Sequence, residues 1–225
     1  MMSNVIKFKI QDLSVEIRVG DIFSATTDVI VNPANGELSH GGGLAAAISR
    51  AAGPALDQEG DDFVSEHGPL ATGEALATNA GNLDYKAVIH AVGPMMGSGD
   101  EMQKLQQAIT SCLEVCEQHG WQSMAMPGIS TGIFGVPAMY FGKALKNALK
   151  LHAGQLSVLS HLKVYLGDQH YEDIAPIFTM YTQDQSSAVD DMGNLDDVEA
   201  GEVILSDEDI SGLENVSLDD LLKDD

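Results

Sequence analysis

Basic residues are scarce in this chain. It has 11 Lys plus Arg against 34 Asp plus Glu in 225 residues, which gives a formal net charge of −23. A chain of this charge repels the phosphate backbone of nucleic acids and anionic lipid surfaces alike. We therefore expect neither nonspecific nucleic-acid binding nor membrane association.

Cysteine is rare too. Cys112 and Cys116 are four residues apart, which places both on one face of a helix and excludes a disulfide-rich secreted framework. His119 extends this face, but a histidine near a helix C-terminus is favourable without any metal. We therefore expect two buried thiols, and neither a metal site nor a cofactor.

Long apolar runs are absent. No continuous apolar stretch approaches the ~20 residues that a helix needs to cross a bilayer. The N-terminal segment alternates apolar and polar residues, unlike the apolar core of a signal peptide. We therefore expect a cytoplasmic protein.

The acidic residues are unevenly distributed. Residues 184–225 contain 15 acids and a single base, Lys223, and such a change in composition indicates a domain followed by an extension. We place the boundary near Thr182, with a domain over residues 1–183 and an acidic tail over residues 184–225. The tail is interpreted either as a disordered solubilising segment or as a docking segment for a protein partner, through aliphatic residues such as Ile210 and Leu213.

Hydrophobic periodicity predicts an α/β fold. Strands that alternate with helices indicate helices on both faces of a mainly parallel sheet, with an antiparallel first hairpin. Asp100 is expected to cap the helix that ends before Gly120. The predicted strands cover residues 5–10, 13–19, 28–32, 75–78, 87–92, 123–126 and 161–166, and the predicted helices cover residues 44–52, 137–151 and 172–180 and two segments that end near Phe63 and Gly120.

Two glycine-rich loops follow predicted strands, at residues 32–44 and 127–137. In α/β sheets, ligands bind beyond the carboxyl ends of the strands. Glycine lets backbone N–H groups approach an anion, and a following helix N-terminus adds partial positive charge. Neither loop contains Lys or Arg, so hydroxyls such as those of Ser130 and Thr131 and the amides would hold the anion. These loops predict a shaped cleft for a specific small anion.

Two short motifs in these loops have other interpretations. Residues 41–46 match the dinucleotide fingerprint, but eight residues separate the end of the strand from the first glycine, where the fingerprint needs a tight turn. Residues 128–132 match the nucleophile elbow of serine hydrolases, with Ser130 as nucleophile. Asp168 and His170 follow in the required order, but separate loops usually supply these two groups. A serine hydrolase is therefore kept only as a distant alternative.

Several motifs together resemble a macrodomain, the ADP-ribose-binding module. Their order and spacing cover residues 5–180, and the glycine triplet followed by Leu and Ala is most similar to the viral-type branch of that family. The resemblance implies a three-layer α/β/α sandwich with a mixed central sheet and an ADP-ribose cleft at its crest. The matching segments are Gly20-Asp-Ile22, Val31-Asn-Pro-Ala-Asn35, His40-Gly-Gly-Gly-Leu44, Thr72-Gly-Glu74, Val88-Ile-His-Ala-Val-Gly-Pro94 and Gly128-Ile-Ser-Thr-Gly-Ile-Phe-Gly135.

The same resemblance implies roles for individual residues. Asp21 would accept a hydrogen bond from the adenine amino group beside Ile22, and Tyr165 or Leu166 would line the other side of the adenine pocket. Asn35 would hold the distal ribose. The remaining ligand-binding residues, around the ribose and the pyrophosphate, would be Ala34, Gly41, Gly42, Gly43, Leu44, Gly128, Ser130, Thr131, Gly132, Ile133 and Phe134.

The resemblance leaves the activity open. Ala45 stands where one hydrolysing branch has Asp, whereas the viral-type branch includes hydrolases that position water without that acid. A hydrolase of mono-ADP-ribosyl esters or O-acetyl-ADP-ribose, with Asn35, His40 and Phe134 as catalytic residues, is expected, and a non-catalytic ADP-ribose reader is the alternative. His40 would either hold its loop in place through a side-chain hydrogen bond or contact the substrate, and Asn32 would brace the loop.

Overall fold

A computed structural model describes residues 5–179 and 181. Within this part of the chain, seven strands form one sheet in the order β1-β2-β7-β6-β3-β5-β4. The predicted boundary at Thr182 and the acidic tail lie outside the described residues. The strands are β1 (Val5–Ile10), β2 (Leu13–Val19), β3 (Val29–Ala34), β4 (Ala75–Thr78), β5 (Ala87–Val92), β6 (Ser123–Pro127) and β7 (His161–Leu166).

The sheet is mixed. The pairs β1/β2 and β4/β5 are antiparallel, and the four pairs between β2 and β5 are parallel. The predicted antiparallel first hairpin is confirmed, and the parallel strands bring their carboxyl ends to one edge of the sheet. This edge is where the predicted loops emerge.

Helices cover both faces of the sheet. Along β3, Val29 packs into the cluster formed with α3, α4 and α5, while Ile30 packs against α1 and α2. Alternate residues of a strand point to opposite faces, so the predicted three-layer sandwich is confirmed. The helices are α1 (Gly43–Ala52), α2 (Pro54–His67), α3 (Glu101–His119), α4 (Ala138–His152) and α5 (Asp168–Phe178).

The start of α3 differs from the prediction. Asp100 makes no side-chain cap and has a left-handed backbone (φ 56°), whereas a capping residue usually has extended geometry. Instead, the Glu101 carboxylate accepts hydrogen bonds from the backbone N–H groups of Gly97 (2.8 Å) and Gly99 (3.0 Å). The first residue of the helix therefore orders the preceding loop. None of the described helices is both long and apolar enough to span a membrane.

One carboxylate joins the end of α3 to the segment before β7. Glu117 accepts hydrogen bonds from the N–H groups of Ser157 (2.9 Å), Val158 (3.0 Å) and Leu159 (2.7 Å). Burial raises the pKa of Glu117, but these hydrogen bonds lower the pKa by more than burial raises it. The pKa of Glu117 is therefore below its ordinary value. The ionised carboxylate therefore stabilises the native position of β7.

We predict that Glu117→Gln lowers the free energy of unfolding at neutral pH by about 1–3 kcal/mol, because charge-assisted hydrogen bonds are lost. The contribution of Glu117 is present above the carboxyl pKa of the unfolded chain and is lost as the pH falls through the lower native value. Urea unfolding at several pH values measures both effects. Glu114→Gln, an exposed carboxylate on the same helix, is the control, and an equal loss in both variants would contradict this account.

Candidate functional site

Two loops meet at the carboxyl edge of the sheet. The first glycine loop (residues 35–42) connects β3 to α1, and the second glycine loop (residues 128–137) connects β6 to α4. They lie side by side because β3 pairs in parallel with β6. Ile133 of the second loop reaches the first loop, where a Cβ atom at residue 42 would lie 3.0 Å from its Cδ1 atom. Glycine at position 42 therefore permits this close approach.

A cavity of about 470 Å³ lies between the two loops and the end of β7. All but two of the predicted ligand-binding residues line it, the exceptions being Asp21 and Ile22. The predicted residues that line the cavity are Ala34, Asn35, Gly41, Gly42, Gly43, Leu44, Gly128, Ser130, Thr131, Gly132, Ile133, Phe134, Tyr165 and Leu166. The sequence thus predicted most of the lining of the cleft.

Backbone amides, hydroxyls and apolar groups form the cleft surface. Among the described residues that line it there is no Lys, Arg, Asp or Glu. A carboxylate would repel an anionic ligand, and a shell of amides binds an anion without a point charge. The second glycine loop and the start of α1 therefore provide the features of an anion site.

Asp21 and Ile22 lie beside the cavity lining rather than in it. The Asp21 carboxylate accepts a hydrogen bond from the N–H of Phe23 (3.0 Å) and caps a short 3₁₀ turn. Ile22 is buried in the same apolar cluster as Tyr165, which does line the cavity. The two residues therefore adjoin the Tyr165 end of the cleft.

Asn35 both lines the cleft and braces its own loop. Its Nδ2 donates to the backbone oxygen (2.9 Å) and the hydroxyl (3.1 Å) of Ser39, and its Oδ1 accepts from the Ser39 N–H (3.1 Å). The Ser39 hydroxyl also lies 3.5 Å from Asn35 Oδ1. The amide group of Asn35 is therefore oriented by Ser39 on both its nitrogen and its oxygen.

His40 belongs to a buried polar network behind the first glycine loop. Its side chain is 2% exposed, and it is not part of the cavity lining. Asn32 Nδ2 donates to His40 Nδ1 (3.3 Å) and to His90 Nδ1 (3.1 Å). His90 Nε2 lies 2.9 Å from the Thr78 hydroxyl. The geometry favours the predicted bracing roles of His40 and Asn32 over contact between His40 and a substrate.

Both imidazoles of this network resist protonation. Burial lowers the pKa of His40, although the carboxylates of Asp57 and Asp61 raise it in part. Burial and the neighbouring His40 lower the pKa of His90 to about 3. Asn32 donates to both rings only while their Nδ1 atoms carry lone pairs, so the network requires neutral histidines.

Ser130 occupies a strained position in the second loop. Its φ is 65°, which non-glycine residues rarely adopt, and a Cβ atom at Gly93 would collide with its hydroxyl. The Ser130 Oγ atom is buried and has no hydrogen-bond partner among residues 5–179 and 181. His170 lies near Thr131 instead, with 3.4 Å between Nδ1 and Oγ1. The structure therefore pairs Ser130 with no base, as a serine hydrolase would require.

Sequence reasoning missed several residues of the lining. Ser39 and Gly93 belong to it, and both lie within segments that the sequence had already singled out, although neither was predicted to bind the ligand. His170 also lines the cleft, because α5 begins at Asp168 rather than at the predicted residue 172. Gly167, which follows β7 and is the N-cap residue of α5, was the available signal for this earlier start.

The fold and cleft thus define an α/β protein with a preformed cavity between two glycine loops. A model of the Macro domain family matches residues 31–144. An uncharacterized protein of Pyrobaculum aerophilum is 38% identical over 173 residues, which cover 76% of this chain and 94% of that protein. The O-acetyl-ADP-ribose deacetylase of Enterobacter sp. strain 638 is 46% identical over 125 residues, which cover 55% of this chain and 69% of that enzyme.

The likeness extends to solved structures. A variant of the Oceanobacillus iheyensis macrodomain with ADP-ribose has a TM-score of 0.74 and 30% identity, covering 80% of this chain and 99% of that one. The chain therefore belongs to the macrodomain family.

We predict that His90→Gln reduces the loss of folding stability that occurs as the pH falls below about 6.5. An unfolded chain binds a proton at the ordinary histidine pKa while native His90 does not, so wild-type stability falls as the pH drops below about 6.5 and levels off only near the native pKa of about 3. Gln keeps a donor and an acceptor but cannot be protonated. Thermal unfolding between about pH 7 and pH 4 should show a smaller loss in the variant. His67→Gln, at an exposed histidine, is the control, and identical profiles for His90→Gln and wild type would contradict the prediction.

Proposed function

We propose that the cleft binds ADP-ribose and that the protein hydrolyses ADP-ribose conjugates, either mono-ADP-ribosyl esters of acidic side chains or O-acetyl-ADP-ribose. The observation that carries the proposal is the cavity itself, formed by two adjacent glycine loops without a lining carboxylate. Its size is within the range of small-molecule sites. Membership of the macrodomain family and the deacetylase name of one relative support the same ligand.

The two loops would divide the ligand between them. Amides of the second glycine loop, with the hydroxyl of Thr131, would surround the pyrophosphate, and the start of α1 would add its helix dipole. Asn35, which lines the cleft, would hydrogen-bond a hydroxyl of the distal ribose, and Phe134 would pack against this sugar. Asp21 and Ile22, beside Tyr165, would serve the adenine end.

Hydrolysis would rely on positioning rather than on an acid–base side chain. Ala45 lines the cleft but supplies no proton acceptor, and His40 is buried behind the loop. Holding the ribose and the scissile ester in a fixed geometry lowers the entropic part of the barrier. The negative charge of the bound phosphate would help to orient the attacking water.

A non-catalytic ADP-ribose reader is the second candidate. It is favoured by the same observation, because no carboxylate of the described chain lines the cleft to activate water. Incubation of the full chain with O-acetyl-ADP-ribose and with an ester-linked ADP-ribosylated peptide separates the candidates. Multiple turnovers support the hydrolase, and saturable binding without product supports the reader.

We predict that Gly132→Glu abolishes ADP-ribose binding without unfolding the protein. A Cβ atom at Gly132 meets nothing within 4 Å, and its backbone is outside the left-handed region, so the fold accepts a side chain there. The new carboxylate would repel the pyrophosphate and weaken binding by more than about tenfold. Calorimetric titration measures the affinity. Gly132→Gln, of equal size but neutral, should weaken binding much less, and wild-type affinity in the Glu variant would show that the second loop does not hold the phosphates.

We predict that Asn35→Ala reduces hydrolysis by about 100-fold or more, since the ribose is no longer oriented, while ADP-ribose affinity falls by less than about tenfold. Single-turnover kinetics measure the rate of hydrolysis, and calorimetry measures the affinity for ADP-ribose. Ser39→Ala is the matched control, because it removes the hydroxyl contacts that brace Asn35 and leaves the amide in place. Unchanged turnover in Asn35→Ala would exclude a catalytic role for this residue.

A further inference from the structure

One lining residue differs in its chemistry from the rest of the cleft. His170 comes from the first turn of α5 and reaches the cavity at its Thr131 side. Among the described lining residues it is the side chain that can carry a positive charge. The other polar groups of the lining are amides and hydroxyls.

The hydrogen bonds around His170 define its proton positions. The Thr131 hydroxyl donates to the backbone oxygen of Gly128 (2.8 Å), so its oxygen is left to accept a hydrogen bond from His170 Nδ1, 3.4 Å away. The neutral ring then carries its proton on Nδ1, and Nε2 is the atom that takes up a second proton. Protonation at Nε2 adds a charge and keeps the contact with Thr131.

The ligand brings charges that the cleft does not balance. The pyrophosphate of ADP-ribose carries two negative charges, and the chain has a formal net charge of −23. The Arg18 guanidinium lies 5.6 Å from the Tyr165 ring centroid, and its Nη1 already donates to Glu16 (2.8 Å). A protonated His170 beside the second glycine loop would therefore offset part of the ligand charge.

The surroundings of His170 leave this charge available to the ligand. On α5 the neighbouring ionisable side chains are Asp168, Tyr171, Glu172 and Asp173, and Asp173 accepts a hydrogen bond from Gln169 (3.3 Å). On β7 the nearest is Tyr165, the second glycine loop has no titratable side chain, and the first turns of α4 carry Tyr140 and Lys143. No described carboxylate lies within 4.0 Å of the His170 nitrogens as an ion pair.

We propose that His170 is a further ligand-binding residue, and that it takes up a proton when the pyrophosphate enters the cleft. This inference rests on the proposed binding of ADP-ribose. The bound anion stabilises the imidazolium, and by linkage the protonated protein binds the anion more tightly. ADP-ribose itself does not titrate in this range, because each of its phosphates has lost its only acidic proton well below neutral pH. Proton uptake on binding therefore comes from the protein.

Calorimetric titration of the full chain with ADP-ribose tests the proposal. Affinity should be roughly three- to tenfold higher at about pH 5.5 than at about pH 8. Titrations near pH 6.5 in two buffers of different ionisation enthalpy should show that about 0.3 to 0.5 proton is taken up per ligand. His170→Gln should lose both the gain in affinity at low pH and the proton uptake. His67→Gln, at an exposed histidine outside the cleft, should behave as wild type.

The possible outcomes separate this inference from the proposed function. Binding that is independent of pH, or a gain at low pH that persists in His170→Gln, overturns the role of His170 and leaves ADP-ribose binding intact. No binding by wild type at either pH overturns both proposals. Loss of the pH dependence in His170→Gln, with an unchanged melting temperature, supports the proton-coupled site.

Discussion

The candidate site depends on the parallel pairing of β3 with β6 at the centre of the sheet. This pairing places the ends of two buried strands next to each other, and each strand continues into a glycine-rich loop and then a helix. Parallel central strands need apolar cover on both faces, which α1 and α2 supply on one side and α3, α4 and α5 on the other. The core thereby fixes the relative position of the loops, and the loops need little internal stability of their own.

The cleft combines a neutral surface with rigid support. Small residues allow the two loops to approach each other, as Ile133 does at Gly42, and amides take the place of basic side chains. Rigidity comes from behind the first loop, where Asn32 joins two neutral histidines, and from the strained backbone of Ser130. A strained backbone conformation is maintained only where the surrounding structure holds it in place, and such conformations often occur at functional sites. The network that holds the loop is thus distinct from the surface that meets the ligand.

Much of the fold could be predicted from the sequence. The predicted bounds of β1, β2, β4, β5 and β7 are those of the structure. Period-two alternation predicted β1 and β2, because strands with one buried face carry a strong local pattern. Most of the cleft lining could also be predicted, since glycine-rich segments after strands have a direct physical meaning.

Features that depend on tertiary contacts could not be predicted in this way. The network behind the first loop requires Asn32 and His90 to be partners in the β3/β5 register, and no local pattern reports such a register. The place of His170 in the cleft depends on the start of α5, and helix ends are the least certain part of a sequence-based prediction. The bond between Asn35 and Ser39 lies within an irregular loop, which has no periodicity to interpret.

The central claim is that two glycine loops without a charged lining form an ADP-ribose site. Calorimetric titration of the full chain with ADP-ribose, with AMP as the comparison ligand, tests it most directly. The account predicts one site with a dissociation constant in the micromolar range, about −8 kcal/mol, and clearly weaker binding of AMP, which lacks the second phosphate and the distal ribose. Absence of heat and of any thermal shift at millimolar ADP-ribose would contradict it.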